Sequence, residues 1–153
     1  MKCRPRTSPI TTDEFDPCER ATHYPAPLNG DRFDVQTEQR HASEGGTLPA
    51  EVAAEIERLD NADLLILQYP MWWHLPPAML KGWLDRVFIS GRVYTSKQRF
   101  EHGRFTGKRA LRSVTVGTSE QTYAFNGCSG DIDLLLWPVR SPFIRHRQAL
   151  PLE

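Results

Sequence analysis

Two short stretches hold most of the side chains able to do chemistry: "YPMWWHL", Tyr69 to Leu75, and "VGTSEQTY", Val116 to Tyr123. The first sets two adjacent indoles, Trp72 and Trp73, beside Pro70, Met71 and His74. The second sets Gly117, where a backbone can approach closely because no side chain intervenes, among the hydroxyls of Thr115, Thr118, Ser119 and Thr122 and the phenol of Tyr123. A wide, planar, partly polar heterocycle suits such a set. Backbone amides and a hydroxyl bond its ring heteroatoms while tryptophan covers an edge or face. A flavin is the commonest cofactor of that shape, and a protein's part is to orient and tune it. Each residue also admits a purely structural role. A Trp-Trp pair after a strand serves equally as a core corner or a dimer contact, and Gly117 as an ordinary turn glycine. Tyr123 reads equally as a buried tyrosine with a satisfied hydroxyl, and a lone histidine such as His74 is more often structural than catalytic. Asp85-Arg86 reads as an exposed helical charge pair, worth little.

The elements around these stretches decide whether they meet. Pro49 suits a first helical turn, and Val52, Ile56 and Leu59 form one apolar stripe. "LLILQY" is apolar without alternation, the pattern of a strand covered on both faces, as in a parallel sheet. "PPAMLKGWLDRVF" follows as a helix with Leu80, Trp83 or Leu84, and Val87 on one face. "KRALRSVTVG" (Lys108–Gly117) is a second strand, and "GDIDLLLWP" a helix stopped by Pro138. Residues 1–48 read as extended loop with short helical turns around "DVQTEQRHA", anchored by Phe15, Tyr24, Phe33 and Val35. The alternation is that of an α/β domain. In such sheets ligands bind beyond the carboxyl ends of the strands, so Pro70–Leu75 and Gly117–Tyr123 are expected side by side.

The bulk numbers narrow the partners. A chain of 153 residues, 39% hydrophobic and 25% charged, suits one small domain. Formal charge is zero, so nucleic acid is not an expected partner. Acidic side chains gather before residue 64 and basic ones after it. Cys3, Cys18 and Cys128 are widely spaced and odd in number, which points to neither a disulfide framework nor a metal site but to a reducing cytoplasm. The start lacks the apolar run of a secretory leader, and no stretch approaches the ~20 apolar residues that span a bilayer.

"QYPMWWHLPPAMLKGWLDRVF", "GKRALRSVTVG" and "YAFNGCSGDIDLLLWPV" together resemble the NAD(P)H:quinone oxidoreductases, the DT-diaphorase family of flavodoxin-like flavoproteins. The resemblance runs from about Asp34 to about Ser141. It implies a doubly wound parallel sheet of strand order 2-1-3-4-5 and a homodimer. It also implies bound FAD, or FMN as in some relatives, with hydride passing from NAD(P)H to a quinone. Carried over by position, Pro70, Met71, Trp72, Trp73 and His74 line the isoalloxazine, and Val116, Gly117 and Thr118 bond or flank its pyrimidine side. Asp85 stands where the family has an acidic residue on the adenosine side. Tyr94 stands where the neighbouring subunit supplies a tyrosine over the substrate, which Trp73 and His74 also touch. Tyr123 matches the tyrosine of the family's tyrosine-histidine pair, whereas Ser129 occupies the histidine position and cannot carry a proton as imidazolium.

Both ends depart from that pattern. The resemblance places the first residue after the family's second strand, so the fold is expected incomplete: two strands and the phosphate-binding helix terminus missing at the start, and the fifth strand missing at the end, since "FIRHRQALPLE" does not resemble it. Such a remnant should have bare strand edges and weak stability alone. Two other readings stand beside the reductase: a non-catalytic ancillary subunit of a potassium efflux transporter, with the Trp-Trp surface as its interface, and an inactive truncated remnant.

Overall fold

The structure, a computed structural model, describes residues 15–98, 102–145 and 149–151. Helices α1 (Val35–Gly45) and α2 (Ala50–Asn61) precede strand β1 (Leu64–Pro70); α3 (Ala78–Val87), β2 (Lys108–Thr115), α4 (Ile132–Arg145) and β3 (Ala149–Pro151) follow. The strands pair in parallel in the order β1-β2-β3. Along β1 and β2 the register runs from Leu64 opposite Arg109 to Pro70 opposite Thr115, so both strands end together. The α/β alternation read from the sequence is present.

The core forms where the stripes meet. Val52, Ile56 and Leu59 of α2 are buried, as the i, i+4, i+7 spacing predicts, and they share a cluster with Leu80, Trp83 and Val87 of α3 and Leu67 and Tyr69 of β1. Each such side chain contributes about 1.5–3 kcal/mol by leaving water. Gly82 lies inside α3 because Pro17 crosses there: a Cβ at Gly82 would sit 2.1 Å from the Pro17 carbonyl oxygen.

Several expectations need correction. The strand β1 is not covered on both faces: Leu67 and Tyr69 are buried while Ile66 is 52% exposed. The reason is that α2, α3 and α4 all pack on the Leu67 side, since Val139 of α4 joins the same cluster. Within the segment before residue 49, residues 1–14 lie outside the described residues and 15–34 are mostly irregular, but where only short helical turns were expected α1 makes three full turns. Asp34 caps it by accepting the Thr37 N–H, and Gly46 ends it at φ 69. Its buried face is polar, with Glu38 accepting the N–H groups of Leu28 and Asn29 and Gln39 donating to Glu19 and the Asp85 carbonyl. Of the four expected anchors in this segment, Phe15 and Tyr24 are buried, whereas Phe33 and Val35 keep 37% and 39% of their surface exposed, Phe33 lying with its ring centroid 5.9 Å from that of Tyr24.

The helix α4 does not stop at Pro138 but runs through it to Arg145. A mid-helix proline costs about 3 kcal/mol; the buried Val139 that follows offsets part of that. Residues 149–151 add a third strand where none was expected. It covers only Lys108–Ala110 of β2, so among the described residues the rest of that edge has no strand partner. Finally, Arg86 is not an exposed partner of Asp85. Asp85 pairs with Lys81 at 2.6 Å, whereas the Arg86 guanidinium is buried, donating to the Asp16 carbonyl at 2.5 Å and the Glu51 carboxylate at 2.8 Å.

Candidate functional site

The two loops meet where β1 and β2 end. The ladder continues one step beyond the strands, with the Met71 N–H donating to the Thr115 carbonyl at 2.9 Å. Trp72 and Leu75 then exchange both backbone hydrogen bonds at 2.9 Å, closing a two-residue turn over Trp73 and His74. Those two residues have φ of 51° and 62°. Positive φ at both central positions belongs to a type I′ turn, which Asn-Gly fills without strain. Tryptophan and histidine there cost of order 1–3 kcal/mol each. The strain has a visible product: Trp73 stands 96% exposed and Trp72 61% exposed. The His74 ring meets Tyr123 edge-on, with centroids 6.3 Å apart, which joins the two loops.

The second loop is held by its own bonds. The Thr118 and Thr122 hydroxyls lie 2.7 Å apart, Thr122 Oγ1 donates to the Ser119 carbonyl, and the Ser129 N–H donates to the Thr122 carbonyl at 2.9 Å. Gly127 is wedged against this turn, its would-be Cβ 2.3 Å from the Thr122 carbonyl oxygen. Gly117 is the reverse case: a Cβ there would meet nothing within 4 Å. Among the described residues, the N–H groups of Trp73, His74, Gly117 and Thr118 have no hydrogen-bond partner in the chain. Open space, four free donors and a projecting indole fit a flat ring with polar edge atoms.

Pro70 through His74, Val116 through Thr118, Tyr123 and Ser129 are thus carried by two adjacent loops. Asp85 and Tyr94 are not: Asp85 lies seven residues along α3, about 10 Å of rise from its start, and Tyr94 follows beyond the end of that helix.

Sequence reasoning passed over a groove that adjoins the loops. It has a volume of about 820 Å³ and lies between the C-terminal half of β2, residues 116–125 and α4, with Arg112, Val114, Phe125, Ile132 and Leu136 in its wall. Arg112 sits in the pleat between Ala110 and Val114, both of which pack against the core. That break in the inward set was the available signal. Burial holds the Arg112 guanidinium below the usual arginine range, and burial likewise raises the Tyr69 phenol.

The turn gives a direct test of the strain argument. Replacing Trp73 and His74 together by Asn and Gly supplies the residues that a type I′ turn prefers. The variant is expected to be more stable by about 1–2 kcal/mol, seen as a rise in melting temperature, while losing at least tenfold in affinity for a flat ring.

The family model described as a flavodoxin-like fold matches residues 10–145. The chain is 37% identical over 119 residues to NAD(P)H dehydrogenase [quinone] 1 of Rattus norvegicus, covering 78% of this chain and 43% of that protein. A Klebsiella pneumoniae protein described as a candidate quinone reductase superposes with a TM-score of 0.82 at 31% identity, covering 94% of this chain and 60% of that one. General stress protein 14 of Treponema denticola, solved in complex with FMN, superposes with a TM-score of 0.56 at 27% identity, covering 65% and 56% respectively. The chain belongs to the flavodoxin-like family, and within it resembles the quinone oxidoreductases. It spans between 40% and 60% of the length of three curated relatives that it matches.

Proposed function

We propose that this chain is the ring-binding part of a flavin-dependent NAD(P)H:quinone oxidoreductase. The observation that supports it most is the junction of the two loops: free backbone donors and open space at Gly117 face a turn that holds Trp73 out of the fold. When bound, the flavin (FAD, or FMN as in the Treponema protein) supplies two-electron hydride chemistry between NAD(P)H and a quinone. Pro70, Met71, Trp72, Trp73 and His74 form one wall for the ring. Val116, Gly117 and Thr118 present N–H groups to its polar edge, where preset donors favour developing negative charge. Tyr123 carries a phenolic proton beside that edge, its ring steered by His74. Ser129 offers a hydroxyl but no imidazolium, so the proton route of this chain rests on Tyr123. Asp85 is assigned to the adenosine side. Tyr94 is assigned to the substrate pocket of a second copy, which a homodimer supplies. Cys18 and Cys128 are free thiols, in keeping with a reducing cytoplasm.

Purified chain mixed with FAD or FMN is expected to oxidise NADPH only when a quinone such as menadione is present. Absence of any flavin-dependent oxidation contradicts the catalytic assignment. The exposure of Trp72, Trp73 and Phe125 favours a second reading, a non-catalytic docking subunit of a membrane transporter. Co-purification with such a transporter, without NADPH oxidation, supports that reading instead.

A further inference from the structure

We propose that the groove between β2, residues 116–125 and α4 binds a flat apolar molecule carrying one anionic group, with that group paired to Arg112. At about 820 Å³ the groove is in the range of small-molecule sites. Its walls are branched or aromatic: Val114, Val116, Tyr123, Phe125, Ile132 and Leu136. Phe125 is 82% exposed, a large apolar ring with no packing role of its own. Such walls take an apolar body, and two aromatic rings among them favour a flat one.

The charge comes from Arg112. The β1–β2 register sets it opposite Leu67 on the inward face of the sheet, between Ala110 and Val114. Half-burying a guanidinium is costly unless an anion faces it. Among the described residues no carboxylate pairs with it; one N–H donates to the Leu136 carbonyl at 3.2 Å. The acids nearby are committed elsewhere. Asp131 Oδ1 accepts the Asp133 N–H at the start of α4, and Asp133 is 76% exposed and faces Arg140 at 3.5 Å. Glu120 is exposed at the rim. Arg140 and Asp133 act on Arg112 in opposite senses, and the Arg140 Nε is itself buried without a partner. The buried Tyr69 hydroxyl on the same inward face also has none. What is left unpartnered is therefore a set of donors, the rest of the Arg112 guanidinium, Arg140 Nε and the Tyr69 hydroxyl, which an anion completes.

The groove shares Val116 and Tyr123 with the ring site. On the reductase reading, its ligand is then an electron acceptor bearing an acidic group; the binding itself does not depend on that reading.

The test uses the full chain without added flavin, titrated calorimetrically with naphthalene-2-carboxylate and with the isosteric naphthalene-2-carboxamide. The carboxylate is expected to bind at least tenfold more tightly than the amide. Arg112→Gln should bring the two within about twofold while leaving the amide unchanged. Equal affinities in the unaltered protein overturn the proposal, and that comparison needs no variant to fold. Discrimination that survives Arg112→Gln overturns it too. Flavin binding is measured separately, so a chain that discriminates but takes up no flavin counts against the reductase alone, and the reverse result against this inference alone.

Discussion

Arg86→Ala is expected to destabilise the chain by about 3–5 kcal/mol, the range for removing one partner from a buried charge network. The side chain is fully buried. It ties α3 to two other segments: Nη1 donates to the Asp16 carbonyl and Nε faces Glu19 at 3.9 Å in residues 15–19, where the guanidinium also lies 5.1 Å from the Phe15 ring centroid, and Nη2 donates to Glu51 of α2. Alanine leaves the Asp16 carbonyl and two carboxylates without their cation and opens a cavity beside Phe15 and Val87. For a chain of this length that cost lowers the melting temperature by about 6–20 °C. Limited proteolysis should then cut within residues 15–34, the segment Arg86 holds against α3. An exposed helical arginine would change stability by less than about 0.5 kcal/mol, so a near-neutral result contradicts the burial described here.

The second large effect falls on the site. Gly127→Ala places a methyl group 2.3 Å from the Thr122 carbonyl oxygen and 2.7 Å from that of Gln121. Both are backbone atoms, so no side-chain rotation relieves the contact; overpacking of this kind costs about 1–3 kcal/mol. The displaced carbonyl of Thr122 is the acceptor for Ser129, and the neighbouring Tyr123 is the residue that meets His74. Ring binding is expected to fall at least tenfold, with a smaller loss of global stability. Gly117→Ala is the contrasting variant. It meets nothing in the chain itself, so its melting temperature should match the unaltered protein while ring affinity falls.

How much of this was legible in the sequence follows from what kind of contact each element makes. The α2 stripe of Val52, Ile56 and Leu59 and the strand Leu64–Tyr69 were legible because apolar periodicity is a local signal. So was the meeting of the two loops, which parallel topology forces on strands of matched length. The helix α1 was not, because its buried residues are Glu38 and Gln39, polar groups whose partners lie in other segments. Its cap at Asp34 and stop at Gly46 were the cues available. Arg86 was misread for the same reason: next to Asp85 in sequence it looks paired, yet its partners lie 35 and 70 residues away. Pro138 was given too much weight as a breaker, since packing of Val139 outweighs a local propensity. The turn at Trp73 and His74 was visible only as an odd composition; its positive φ values belong to the structure.

The central claim is that the turn at Trp73 and the loop at Gly117 form one site for a flavin ring. Titration of the chain with FMN and FAD, followed by tryptophan fluorescence and by visible absorbance, tests it most directly. Saturable quenching is expected together with a perturbed flavin spectrum, and both should be lost in the variant carrying Asn and Gly at positions 73 and 74. Flavin that leaves tryptophan emission unchanged, or quenching that persists in that variant, contradicts it.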